Sequence, residues 1–144
     1  MSPWTDNPER SKFVTSESQQ RMLDEVMTIY GTMGIPIECE QRPVPLHGLI
    51  ATQDAIEADK FAIVRRKVEA GELEIPVIVE EHFADDEYRR YLIDGHCRVR
   101  AKIELGQRST AAYVLWSPAG DFESNFVRIA AQYGDVLVRD LRMV

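Results

Sequence analysis

The stretch Tyr88-Arg89-Arg90-Tyr91-Leu92-Ile93-Asp94-Gly95-His96 constrains this chain more than any other, because the backbone has to change period within a residue or two. Aromatic and apolar residues up to Ile93 suit a β-strand. Asp94-Gly95 breaks it, and residues 96–105 then read as a helix stopped by Gly106. A strand that feeds directly into a helix needs a sheet to pair with and a layer to cover it. The expectation is an α/β (α+β) fold, a small mixed sheet with helices. At 144 residues and 44% hydrophobic composition, the chain has the length and apolar content of one domain with a real core.

The remaining elements follow from periodicity and punctuation. Residues 1–15, with Pro3 and Pro8, are expected as a loose arm, and Ser16 can cap the helix that follows. Met22, Val26, Ile29, Tyr30 and Met33 make one apolar stripe on that helix, which ends between Gly31 and Gly34. Pro36, Pro43 and Pro45 confine residues 35–50 to short extended pieces. Residues 52–70 read as helical in two pieces, with Phe61, Val64 and Val68 on one side and Gly71 as the stop. Arg65-Arg66-Lys67 on this helix reads as a solvated face. Residues 75–79 and 88–93 form strands of an antiparallel hairpin, separated by a polar loop at 82–87. Residues 109–116 are a strand. After a turn at 117–121 comes a helix bearing Phe122, Phe126, Ile129, Ala130 and Tyr133, ended by Gly134, and residues 136–138 are the last strand. Arm and first helix (1–40) precede a domain at 41–144, and the two form one compact unit.

Charge and cysteine usage narrow the partners. Twenty-four acidic against 17 basic residues leave a net charge of −7, which argues against a broad nucleic-acid footprint. Cys39 and Cys97 lie far apart and form no C-x-x-C pair, so neither a disulfide framework nor a zinc ribbon is indicated and a reducing cytoplasm fits. No apolar run suits a signal peptide or a membrane span. His47 and His82 lack metal-ligand partners at useful spacing.

The chemistry concentrates at the strand-to-helix turn. A helix starting at Gly95 presents unpaired N–H groups at the positive end of its dipole, where anions bind. His96, Arg98 and Arg100 crowd the same end, and cations there oppose the dipole by a few tenths to about 1 kcal/mol. An anionic group is the expected compensation. Asp94 either caps the helix or carries a divalent metal beside a phosphate. Gly95 permits a positive φ, for a close ligand approach or simply for a tight turn. Arg98 offers a planar fork to phosphate oxygens or to an ion pair with Asp94. His96 donates to phosphate and serves as acid or base, or is structural. Cys97, with Ala101 and Leu105 at helical spacing, points into the core.

These residues make the segment from Val44 to Trp116 resemble the ParB/sulfiredoxin superfamily, whose conserved strand-to-helix turn binds nucleotide phosphates. The resemblance runs through Ile50-Ala51-Thr52-Gln53, Gly71, Ile75-Pro76-Val77-Ile78-Val79 and the segment from Leu92 to Gly106. Chromosome-partition members carry Gly-Glu-Arg-Arg-x-Arg-Ala, matched here at Gly95, Arg98, Arg100 and Ala101, and Gln53 resembles a glutamine of their first motif. Their helix-turn-helix has no counterpart after Trp116, so DNA binding by the chain alone is not expected. Sulfiredoxins carry Gly-Cys-His-Arg, of which His96 and Cys97 are the transposed form, and sulfinic-acid reduction is not expected either. Free serine kinases carry Asp-Gly-His-x-Arg, matched by Asp94, Gly95, His96 and Arg98.

The resemblance implies a nucleotide-binding domain working with Mg²⁺ and ATP, ADP or CTP. Gly95, His96, Arg98, Arg100 and Gln53 would hold the nucleotide and Asp94 the metal. On the kinase reading His96 steadies a phosphoryl group passing to a small hydroxyl acceptor such as serine. The kinase glutamate lies near Gln53, which cannot act as a base, so Asp54 or Glu57 takes that role. The alternative is a non-catalytic module in which nucleotide switches a surface for DNA or a protein partner. The first helix either covers the cleft or forms a homodimer.

Overall fold

A computed structural model describes residues 14–144. Nearly all of the expected N-terminal arm lies outside the described residues. The first helix, α1 (Ser16–Thr32), opens on a capping box in which Thr15 rather than Ser16 is the cap: the Ser18 N–H donates to Thr15 Oγ1, and the Thr15 N–H to Ser18 Oγ. Its buried line is Gln19, Leu23, Val26 and Tyr30. Of the expected stripe, Val26 and Tyr30 are buried and Met22 packs beside them, whereas Ile29 and Met33 are each 57% exposed, so the contact face is shifted toward Gln19 and Leu23. The reason is polar. Gln19 turns inward because hydrogen-bond partners wait there.

A five-stranded mixed sheet forms the centre, in the order β1-β6-β4-β5-β2. It comprises β1 (Glu38–Pro45), β2 (Leu49–Ile50), β4 (Val77–Ala84), β5 (Glu87–Asp94) and β6 (Ser109–Trp116). β1 sits at an edge, where Pro43 and Pro45 can be accommodated. β4 and β5 form the expected antiparallel hairpin, but its loop is two residues long, not six: Asp85 and Asp86 adopt φ of 55° and 61°, the twist that tight hairpins require. His82, Phe83 and Ala84 therefore belong to β4. From β5 the chain crosses through α3 (His96–Glu104) to β6, which lies parallel to β4.

The segment at 52–57 is not helical. It turns and forms β3 (Ala55–Ile56) before α2 (Ala58–Glu69) begins, ended near Gly71 at φ 72°. The terminal strand expected at 136–138 is likewise replaced: Leu137 makes one bridge to Ile50, Val138–Asp140 is a 3₁₀ turn, and β7 (Arg142–Met143) pairs with β3. α4 (Asn125–Gln132) starts at a Ser124 cap, so Phe122 precedes it.

Alternation along β4 sends its side chains to two layers. Val77 and Val79 join Phe61, Val64, Cys97 and Val99 from α2 and α3. Ile78 packs on the other face with Leu23, Val26 and Tyr30 of α1 and Leu115 of β6, flanked by Phe122 and Phe126. The molecule is thus mixed α/β with helices on both faces of the sheet. No helix among the described residues is long and apolar enough to cross a membrane.

Candidate functional site

The turn between β5 and α3 contains no loop. Asp94 ends the strand and His96 begins the helix, with Gly95 between them at φ 109°. A Cβ at this position would stand 2.5 Å from Val77 Cγ1 and 3.0 Å from Arg98 Nη2, so glycine is required for both conformation and space. No side chain caps α3.

Asp94, which could have capped the helix, turns to Arg98 instead, its Oδ2 accepting from Nη2 at 2.8 Å. Gln19 of α1 also reaches this oxygen, at 3.4 Å, and donates to the Pro76 carbonyl. Arg98 is 3% exposed and spends its other donors on the carbonyls of Ile75, at 2.5 Å, and Pro76, at 2.9 Å. Burial pulls the guanidinium below its ordinary pKa, against the support of Asp94. The anion that compensates Arg98 at this helix start is therefore an internal one. Arg100 points elsewhere, donating to the carbonyls of Val138 at 3.2 Å and Leu141 at 2.7 Å, and so ties the C-terminal segment to α3.

His96 is buried, and its Nε2 accepts the Thr52 N–H at 3.0 Å. Burial, with Lys60 nearby, pulls its pKa from 6.5 down to about 3. The ring is thus neutral at ordinary pH, with its proton on Nδ1. Thr52 is itself fixed by Oγ1 donating to the Leu92 carbonyl at 2.6 Å. Cys97 lies in the core, and burial raises its thiol pKa. Gln53 donates to the Ala55 carbonyl at 2.7 Å. Asp54 is exposed and paired with Arg142 at 3.3 Å. Glu57 occupies the N-cap of α2 without a side-chain cap bond and is exposed.

One residue missing from the sequence reading belongs here. Lys60 of α2 bears electrostatically on both His96 and Cys97, and Glu57 at the N-cap of the same helix bears on Cys97 with the opposite sign. The signal was available: Lys60 is four residues before Val64, on the same helix face. Neither of two surface cavities borders the turn. One, of 460 Å³, lies along Arg42, Lys102 and Thr110, and the other, of 310 Å³, along Arg42, Glu81, Tyr88 and Trp116. The described residues contain no group of three or more His, Cys, Asp or Glu side chains placed to hold a metal ion, and Asp94 is committed to Arg98. The described residues do not fit a protein-built metal centre.

Fold and turn together define a mixed α/β protein with a glycine-hinged strand-to-helix junction. No family model matches the chain. It is similar to the uncharacterized protein MJ0188 of Methanocaldococcus jannaschii, at 28% identity over 96 residues, which is 67% of this chain and 35% of that protein. Among solved structures it is similar to protein Atu1540 from Agrobacterium tumefaciens, at 26% identity and a TM-score of 0.42, over 51% of this chain and 36% of that one. The chain spans about a third of the length of either relative.

Proposed function

We propose that the chain is a nucleotide-binding module that seats a phosphate on the first turn of α3. The observation that carries this reading is a helix start without a side-chain cap, at a glycine, whose first residues His96 and Cys97 feel the positive charge of Lys60. Main-chain N–H groups, the helix dipole and one cation suit an anionic group in combination. Arg98 would act at one remove, holding the turn in shape through Asp94 and the carbonyls of Ile75 and Pro76. His96 would do the same through Thr52.

The side chains around the turn leave one base candidate for the phosphotransfer form of this reading, Glu57, which is exposed, makes no side-chain cap bond and bears electrostatically on Cys97. A general base must reach the acceptor's proton. The other candidates are engaged: Asp54 is paired with Arg142 on the surface, Gln53 is bonded to its own loop, and the Nε2 of His96 is occupied, so the non-catalytic form needs no further group and phosphotransfer would rest on Glu57. A divalent ion would then arrive with the nucleotide's phosphates and not on a site built by the protein. Calorimetry with ATP, ADP and CTP, each with Mg²⁺, on the natural chain and on Lys60→Ala tests the seat. Binding weakened at least tenfold in the variant is expected. Equal affinity in both chains would remove Lys60 and, with it, this placement of the phosphate.

A further inference from the structure

β4 carries a second polar constellation on the face beneath α1. Glu80 is fully buried and His82 is 6% exposed. Tyr30 Oη donates to Glu80 Oε2 at 2.5 Å and lies 3.0 Å from Ser124 Oγ. His82 Nε2 lies 2.7 Å from Glu80 Oε1, and Nδ1 lies 2.6 Å from Asp121 Oδ1. A carboxylate can only accept, so each contact asks the imidazole for an N–H. Both are present only in the imidazolium. A neutral ring would set a lone pair against one of the two carboxylates and leave the buried Glu80 without a compensating charge.

The other groups facing the ring do not supply that charge. Tyr91 of β5 meets it edge-on at 5.7 Å, and Phe122 packs against it at 4.5 Å. Arg89 is engaged with Tyr91. Across the neighbouring cavity Arg42 is paired with Glu40 and Glu81, and Arg90 with Glu81. Tyr30 stays a phenol, because burial and Glu80 raise its pKa.

The constellation joins three separate parts of the chain. Tyr30 belongs to the C-terminal half of α1, Glu80 and His82 to the sheet, and Asp121 to the segment 117–124 between β6 and α4. We propose that it is a proton-dependent latch: doubly protonated His82 clamps the 117–124 segment to the sheet beneath α1, and loss of one proton releases that segment. Asp121 is the hinge point, since its side chain is 49% exposed and can leave for water, whereas Glu80 cannot.

The direction of the pH effect follows from the same contacts. Burial opposes the ring's charge, but the bonds to Glu80 and Asp121 together outweigh it and raise the His82 pKa above 6.5. Release of Asp121 returns that value toward the ordinary one. Closed and open forms then differ by up to one proton between the two values, and the opening constant rises with pH by up to about tenfold per unit in that window. Below it the constant is flat.

Hydrogen exchange of the full chain from about pH 6 to 9, with each rate divided by the intrinsic rate of its amide, reads the opening constant directly. Opening at the Phe122 amide, which donates to Asp121 Oδ1, is expected to rise with pH in the natural chain and to be flat in His82→Gln. Asp121→Asn, at a half-exposed position, is expected to raise opening at neutral pH and to reduce its slope. It carries the comparison if His82→Gln does not fold. Nitrogen-detected NMR of the His82 ring at neutral pH should show both nitrogens protonated. A flat profile in the natural chain, or a neutral His82 ring, overturns the latch.

Discussion

Replacing Gly95 by alanine adds one methyl group at the point where strand becomes helix. The new Cβ would lie 2.5 Å from Val77 Cγ1 and 3.1 Å from Val77 Cβ, and Val77 is fully buried on a central strand, so it cannot swing aside. On the other side Arg98 Nη2, at 3.0 Å, is held by Asp94. Two costs combine. A residue with a Cβ at φ 109° costs roughly 1–2 kcal/mol in backbone strain, and forcing a carbon into a filled core costs roughly 1–3 kcal/mol. The expected loss is about 2–5 kcal/mol, a large share of the 5–15 kcal/mol typical of a domain. Urea unfolding followed by circular dichroism measures it as a lower midpoint at unchanged slope. Val77→Ala removes the closest atom, so adding it to Gly95→Ala should restore about 1–3 kcal/mol relative to the sum of the single variants. A loss below about 0.5 kcal/mol for Gly95→Ala, or strict additivity in the double variant, would refute this packing argument.

Three further outcomes follow from the structure. Arg98→Ala removes the side-chain donor of the Ile75 carbonyl and leaves the Pro76 carbonyl and Asp94 with Gln19 alone, and should destabilise the chain by about 2–4 kcal/mol in urea, with Asp94→Asn costing less because its side chain is partly solvated. Arg100→Ala should loosen the C-terminal segment, seen as faster amide exchange at Val144, whose N–H donates to Ile56, while the exchange of central β4 is unchanged. Because His96 has a pKa of about 3 in the folded chain and 6.5 as its ordinary value, the unfolded chain binds the extra proton between them. Stability should therefore fall as pH drops through that interval, and the His96 ring should show no titration near pH 6.5 by NMR.

Much of the fold was legible because its signals are local. The aromatic and apolar residues from Tyr88 to Ile93, the glycine stops at Gly71 and Gly106 and the apolar run before Trp116 each name an element on their own. What was not legible depends on partners distant in sequence. The inward turn of Gln19 is set by Asp94 and Pro76, and the hydroxyl of Tyr30 is bound by Glu80, all some fifty residues or more away, and no apolar periodicity reports these bonds. His82 reads as a loop residue without metal-ligand partners, and its hydrogen-bond partners are hidden from spacing: the buried Glu80, two residues back on the same strand face, and Asp121 beyond β6. The short hairpin was hidden because Asp85-Asp86 reads as part of a polar loop until its positive φ values are seen. At the turn the structure gives Arg98 and Arg100 internal partners that spacing alone does not distinguish from a ligand.

The most direct test of the phosphate seat is a ¹H–¹⁵N correlation spectrum of the full chain titrated with ADP and Mg²⁺. Saturable shifts at the amides of Gly95, His96 and Cys97, together with the Lys60 side chain, are the expected result. Unchanged amides there at millimolar nucleotide, with shifts elsewhere or none, would contradict nucleotide binding at the start of α3.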